Sequence, residues 1–284
     1  MKQAERTWAA GVLMLCAACG DAPTLTLRYS PVAGSSFRYA MEQEVTVTME
    51  GDSVASEAQQ NITINIAFTQ SVSGPVEGGT EVRLRVDSVT ISSPQIPPQA
   101  MASAGGMLRG LETAIVFDGR MQAVRSSVAD PGGAPPQMAA QIASSLRGAS
   151  FPLPDRPVKV GETWTVEAPA PTGQIPGLAK PLMLTSRLHI DGFRVSGADT
   201  IVHILVETSF PREPIQLDFG DAIQLRVDGT LKGEQEYSLA RHALVSSSMG
   251  GKVRTSTTGG PMGAGAMTLD QRLAMHLLEG APTP

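Results

Sequence analysis

Phe151-Pro-Leu-Pro-Asp-Arg-Pro-Val-Lys-Val-Gly-Glu-Thr-Trp164 divides the chain into two β-rich halves. Its core, from Pro157 through Gly161 to Trp164, echoes Pro31-Val-Ala-Gly-Ser-Ser-Phe37 near the start of the first half. Each reads as a proline-fixed entry, a glycine turn, two small or polar residues, and an aromatic that opens a strand.

Working outward, the first half alternates apolar and polar residues at strand spacing. Thr24–Tyr29 alternates, and Phe37–Met49 does so with Val45, Val47 and Met49 on one face. Asn61–Phe68 puts Ile62, Ile64, Ile66 and Phe68 on one face. Val82, Leu84 and Val86 share another; the phase then slips to Val89 and Ile91, which predicts a bulge near Ser88. Pro94–Gly106 is rich in Pro, Ala, Ser and Gly and reads as a loop. Asp118-Gly119 reads as a two-residue hairpin turn. Met138, Ile142 and Leu146 recur at helical spacing after Pro135 and Pro136, so a helix is expected over 137–147.

The second half repeats the plan. Leu182–Ile190 alternates, and Ile201–Val206 is apolar on both faces, as a central strand would be. Ile223, Leu225 and Val227 share a face, and Leu231–Leu239 with His242–Ser248 reads as a hairpin. Met267–Leu278 fits both strand and helix periods and is taken as a closing strand. The expected fold is mainly β: two related antiparallel sections, residues 24–150 and 151–279, forming a strongly curved sheet or incomplete barrel with one central helix. Residues 280–284 read as a disordered tail.

Composition narrows the function classes. With 42% hydrophobic and 17% charged residues, the chain can build a core and is not a charged tail. Aromatics at 4% argue against sugar-stacking or single-strand nucleic-acid platforms. The net charge of −5 comes without any Lys/Arg cluster, which argues against nucleic acid as a partner.

The first residues carry an export pattern. Lys2 and Arg6 precede the short apolar run Trp8–Leu15, and Leu15-Cys-Ala-Ala-Cys19 follows. Residues 1–18 read as a signal peptide, Cys19 as the lipidated residue and 19–23 as a tether. Both cysteines of the chain lie here, so the body needs no disulfide. Acyl chains on Cys19 would anchor the protein, each buried methylene contributing about 0.8 kcal/mol.

The segment around Cys19, Gly34-x-x-Phe37-x-Tyr39, and Phe151-Pro-x-Pro…Pro157-Val-x-Val-Gly-x-x-Trp164 resemble an uncharacterised bacterial lipoprotein family. That resemblance covers most of the chain and brings no catalytic residue. It implies an envelope lipoprotein, and Gly20 after Cys19 implies the outer membrane, facing the periplasm. More distantly, the layout is similar to half-barrel lipoprotein carriers and lipid-binding envelope lipoproteins, in which a curved sheet shelters acyl chains.

The residues themselves offer little catalytic chemistry. His189, His203, His242 and His276 fall on separate segments without ligand spacing. No Gly-x-Ser-x-Gly elbow occurs, and Ser126-Ser127 and Ser246-Ser247-Ser248 read as polar strand edges. Gly105-Gly106 and Gly250-Gly251 lack a phosphate-loop setting, and Asp218 and Asp221 read as turn residues. No cofactor or metal is expected. Two readings stand open: a non-enzymatic lipoprotein that holds a lipid or other hydrophobic ligand, and an interaction module with a packed core that binds an envelope protein.

Overall fold

The structure, a computed structural model, describes residues 24–51, 58–136, 139, 152–170, 182–218, 222–258 and 265–281. In chain order these form β1 (Thr24–Leu25), β2 (Ser36–Gly51), β3 (Ala58–Val76), β4 (Gly79–Ser92), α1 (Pro98–Leu108), β5 (Glu112–Phe117) and β6 (Ala123–Asp130). There follow β7 (Val158–Lys159), β8 (Thr163–Pro169), β9 (Met183–Ser196), β10 (Asp199–Ser209), β11 (Ile215–Asp218), β12 (Ala222–Ser238), β13 (Ala243–Thr258) and β14 (Gly265–Ala281). Among the described residues no helix is long and apolar enough to cross a membrane.

One twelve-stranded antiparallel sheet runs β6-β5-β4-β3-β2-β14-β13-β12-β10-β9-β8, with β11 paired to β12. Two meanders therefore meet where β2 pairs with β14. The ends of the path, β6 and β8, do not pair, so the sheet is curved but not closed. The register puts Phe37, Tyr39, Met41, Ile66, Phe68 and Met275 on one face, and that face is the concave one.

Apolar side chains on the concave face of an open sheet must be covered. Two crossing segments, residues 24–29 and 152–159, do this at one end. They pair with each other as β1 and β7. Tyr29 N–H donates to the Gly119 carbonyl at 2.9 Å and Leu153 N–H to the Arg120 carbonyl at 2.7 Å, so both segments are tied to the β5–β6 connection. The Arg28 carbonyl accepts from the Tyr237 hydroxyl at 2.6 Å and from His242 Nδ1–H at 3.0 Å. Trp164 Nε1–H donates to the Pro152 carbonyl at 3.2 Å. Leu25, Leu27, Tyr29, Leu153 and Val158 thus bury against Phe37, Leu188, Ile190, Val202 and Tyr237 in one core. This belt spans from the β6 wing to the β8 wing.

The two glycine turns use the same bonds. Gly34 at φ 81° and Gly161 at φ 86° both adopt the left-handed region. Gly34 N–H donates to Val72 and Val72 N–H to Ser35; Gly161 N–H donates to Ile190 and Ile190 N–H to Glu162. Glu162 also accepts from Lys159 N–H at 2.8 Å and pairs with Arg156. The Lys159 amide, and then Arg156, hold its carboxyl below the usual range.

Several expectations hold. The bulge falls at Asp87, where Ala67 pairs with Ser88 but Phe68 pairs with Val86. Asp87 accepts from Thr69 Oγ1 at 2.8 Å and pairs with Arg38. β10 is central, between β9 and β12, and the closing segment is the strand β14. On β12 the alternation is complete: Leu225 and Val227 are buried, Gln224 and Arg226 exposed.

Others are corrected. The Pro94–Gly106 stretch is not a loop but contains α1. Pro98 sits in its first turn, where a missing N–H costs nothing. Gln99–Ala104 favours helix, and Gly105 lets the helix approach the Val89 carbonyl, where a Cβ would stand 2.9 Å away. The helix expected over 137–147 lies outside the described residues except Ala139, whose N–H donates to the Pro135 carbonyl at 3.0 Å and which is fully buried with Leu111 and Ala134. Asp118-Gly119 is not a two-residue turn. Asp118 Oδ1 accepts from Arg120 and Gln122 N–H groups at 2.9 and 2.8 Å, and Met121 takes the positive φ of 62° to enter the core. Val45, Val47 and Met49 share a face as expected, yet Thr46 and Thr48 opposite are also half-buried, because β2 runs on past the covered core. Gly280 and Ala281, expected in a disordered tail, instead pair with Phe37 and Ser36 at the end of β14. The leader, Cys19, the turn between Asp218 and Asp221, and residues 282–284 fall outside the described residues.

On β12, Gly229 and Gly233 leave no room for a Cβ against the β13 backbone. Gly229, at φ 150°, faces Val253, and a Cβ there would collide with the Lys252 carbonyl. Gly229→Ala is expected to cost about 2–4 kcal/mol, overpacking added to a left-handed conformation. Gly34→Ala, which meets open space, should cost only about 1 kcal/mol. Urea midpoints of the two variants check this; equal losses would contradict the close approach.

Candidate functional site

Beyond the belt, the described residues leave the concave face unfilled. A cleft of about 310 Å³ opens between β2, β3, β4 and β5 on one side and β12, β13 and β14 on the other. Its floor comes from register. Tyr39 lies beside Phe68, Met41 beside Ile66 and Met275 beside Met41. Val86, Leu111, Ile115 and Phe117 form one wall; Ala243, Leu244 and Leu273 form the other. Met41, Ile66, Leu84 and Met275 are only half-buried, so they present apolar surface to the open space.

Four of the chain's aromatic residues converge here, although aromatics make up only 4% of the chain. Tyr29 meets Phe117 edge-to-face at 5.2 Å between centroids, and Tyr39 stacks on Phe68 at 5.3 Å. These pairs fix the rings and keep the cleft shaped. Tyr29 comes from the belt, so the belt forms one end of the cleft as well as plugging the sheet.

The polar groups are few. The Tyr29 hydroxyl accepts from Gln70 Nε2 at 3.0 Å, and the Tyr39 hydroxyl donates to the Leu244 carbonyl at 3.0 Å. Thr113, Gln235 and Ser247 complete the lining. Among the described residues that line it there is no Asp, Glu, His, Lys or Arg. Burial pushes the Tyr29 and Tyr39 hydroxyls far up, the former further raised by Tyr39, so both stay neutral. The described lining therefore holds no group that exchanges a proton near neutral pH. It can exclude water and hold apolar surface.

The sequence-predicted chemistry lies elsewhere. His189 contacts Thr163 Oγ1 at 3.2 Å, His242 is bound to the belt, and His276 is exposed on β14. His203 sits on the opposite face of β10 between Asp191 and Glu234 at 3.1 and 3.0 Å. Partial burial pulls its pKa down, but the two carboxylates outweigh that and hold it above the ordinary value. Among the described residues no group of His, Cys, Asp or Glu is arranged to hold a metal. Ser246–Ser248 is not on a strand edge: β13 lies between β12 and β14, and Ser247 points into the cleft while Ser246 bonds Glu236 outside. The apolar periodicity marked the cleft-lining strands. Nothing local marked Tyr29, Phe117 and Gln235 as neighbours, since sheet order alone brings them together.

No family model matches the chain, and no curated protein does. A solved structure described as lipid–protein interactions in lipovitellin matches with a TM-score of 0.54 and 8% identity, over 89% of this chain and 26% of its own. The chain thus spans about a quarter of that structure's length. The likeness is one of fold: a large β-rich sheet. A structure of DynF from the dynemicin biosynthesis pathway of Micromonospora chersina matches over 96% of this chain and 92% of its own at 9% identity, with a TM-score of 0.23 that carries no argument.

The chain has three tyrosines, Tyr29, Tyr39 and Tyr237, and burial raises the pKa of all three. A raised folded pKa means the native state holds its protons more tightly than the unfolded state. Their contribution to stability is full below pH ~10 and falls as the pH rises beyond it towards the higher folded values. Absorbance at 295 nm should therefore show no phenolate step near pH 10, only a cooperative rise with alkaline unfolding. A gradual titration centred near pH 10 would contradict the burial.

Proposed function

We propose that this chain is a lipid-anchored envelope protein that shelters a hydrophobic ligand, lipid in class, in the cleft of its curved sheet. The observation that carries this reading is the cleft: about 310 Å³ lined by aromatic and aliphatic side chains, without a charged residue among the described lining residues. That volume lies within the range of small-molecule sites. Each methylene moved from water into such a lining contributes about 0.8 kcal/mol, so an acyl chain gains affinity without any specific polar contact. The fold-level likeness to lipovitellin, whose printed description concerns lipid–protein interactions, supports the same class of ligand. It does so as analogy, because a fold hosts many functions.

The alternative, an outer-membrane interaction module, calls for a packed interior, and the cleft weighs against it. Anchorage is proposed at Cys19, whose acyl chains would tether residues 19–23 to the outer membrane with the sheet facing the periplasm.

Two measurements test the reading. Full-length protein purified from membranes and examined by native mass spectrometry is expected to carry copurified lipid mass that organic extraction removes. Ligand-free protein that also fails to take up added fatty acid would overturn it. Cys19→Ala should move the protein from the membrane to the soluble fraction; retention in the membrane would overturn the anchor.

A further inference from the structure

Inside this apolar cleft one polar group has no partner. Gln235 on β12 is 3% exposed and lines the cleft. Among the described residues its Oε1 is the one buried side-chain oxygen or nitrogen that makes no hydrogen bond. Its neighbours in the sheet are Ile204 on β10 and Ser247 on β13. Three polar groups near it are engaged elsewhere: Tyr39 on Leu244, Gln70 on Tyr29, and Tyr237 on Arg28.

A buried carbonyl left unpaired is costly, and an apolar residue of similar size would avoid the cost. An acceptor held in an otherwise apolar site is the usual means of orienting a ligand. We infer that Gln235 Oε1 is the polar contact of the cleft and that its ligand is an apolar chain bearing a hydrogen-bond donor, a hydroxyl or an amide N–H. The inference deepens the hydrophobic-ligand reading and rests on it. A donor that reaches Oε1 is bound through both its chain and its head. An analogue without the donor leaves Oε1 unsatisfied and binds more weakly, through its apolar surface alone.

The test uses full-length, organic-extracted protein and displacement of the fluorescent hydrocarbon diphenylhexatriene. The competitors are decanol and decyl methyl ether, which differ in the donor. Wild-type protein is expected to favour decanol about tenfold or more, the size of one buried hydrogen bond. Gln235→Leu should bind the hydrocarbon as before, melt no lower than wild type, and lose the preference. Gln235→Glu, which retains an acceptor, should keep a preference for the alcohol. Equal competition by alcohol and ether in wild type, or a preference that survives in Gln235→Leu, would overturn the role of Gln235 and leave hydrophobic binding standing. Failure of wild type to bind diphenylhexatriene, decanol or the ether would overturn both readings together.

Discussion

A sheet that is oily on one side and does not close has to cover that side with something from its own chain. Here the cover is the belt of residues 24–29 and 152–159. Hydrogen bonds anchor it to distant parts of the chain: Tyr29 to Gly119, Leu153 to Arg120, Tyr237 and His242 to Arg28, and Trp164 to Pro152. Thr24 and Leu25 of the belt pair with Lys159 and Val158, so its two segments also satisfy part of each other's backbone. The belt holds the β6 and β8 wings in one core without pairing those strands. It covers one end of the concave face and stops at Tyr29, and the cleft begins there.

This arrangement separates stability from site. Phe37, Leu188, Ile190 and Tyr237 sit deeply buried under the belt. The half-buried ones, Met41, Ile66, Leu84 and Met275, sit beyond it around open space. Packing beneath the belt keeps the strands in register, and register sets which side chains meet across the cleft. The two glycine turns contribute by fixing the entries to β2 and β8 with matching bonds to Val72 and Ile190.

Much of the fold was legible in residues of one period. Ile66 and Phe68, Leu225 and Val227, and Val202 through Val206 announced strands and their inward faces. The slip from Val86 to Val89 announced the bulge, because a one-residue insertion must shift the phase. Helix α1 was missed because its alanines and glycines carry no apolar stripe; its reason to exist is the close approach of Gly105 to Val89. The Asp118–Gln122 connection was misread because the demand of Met121 for the core outweighs the local preference of Asp-Gly. Of the cleft, the aliphatic floor was readable. Tyr29, Phe117 and Gln235 were not, since they are joined by the order of strands rather than by sequence spacing.

The account stands on a cleft that admits an apolar guest while the belt end stays packed. Methionine reports on both, since Met41, Met121 and Met275 line the cleft whereas Met183 is exposed on β9. The direct measurement is a methyl NMR titration of full-length, lipid-stripped protein labelled at methionine, with diphenylhexatriene as the guest. Saturable shifts at Met41, Met121 and Met275 with Met183 unmoved are the predicted result. No shift at those three, or shifts confined to Met183 and other methionines outside the cleft, would contradict the account.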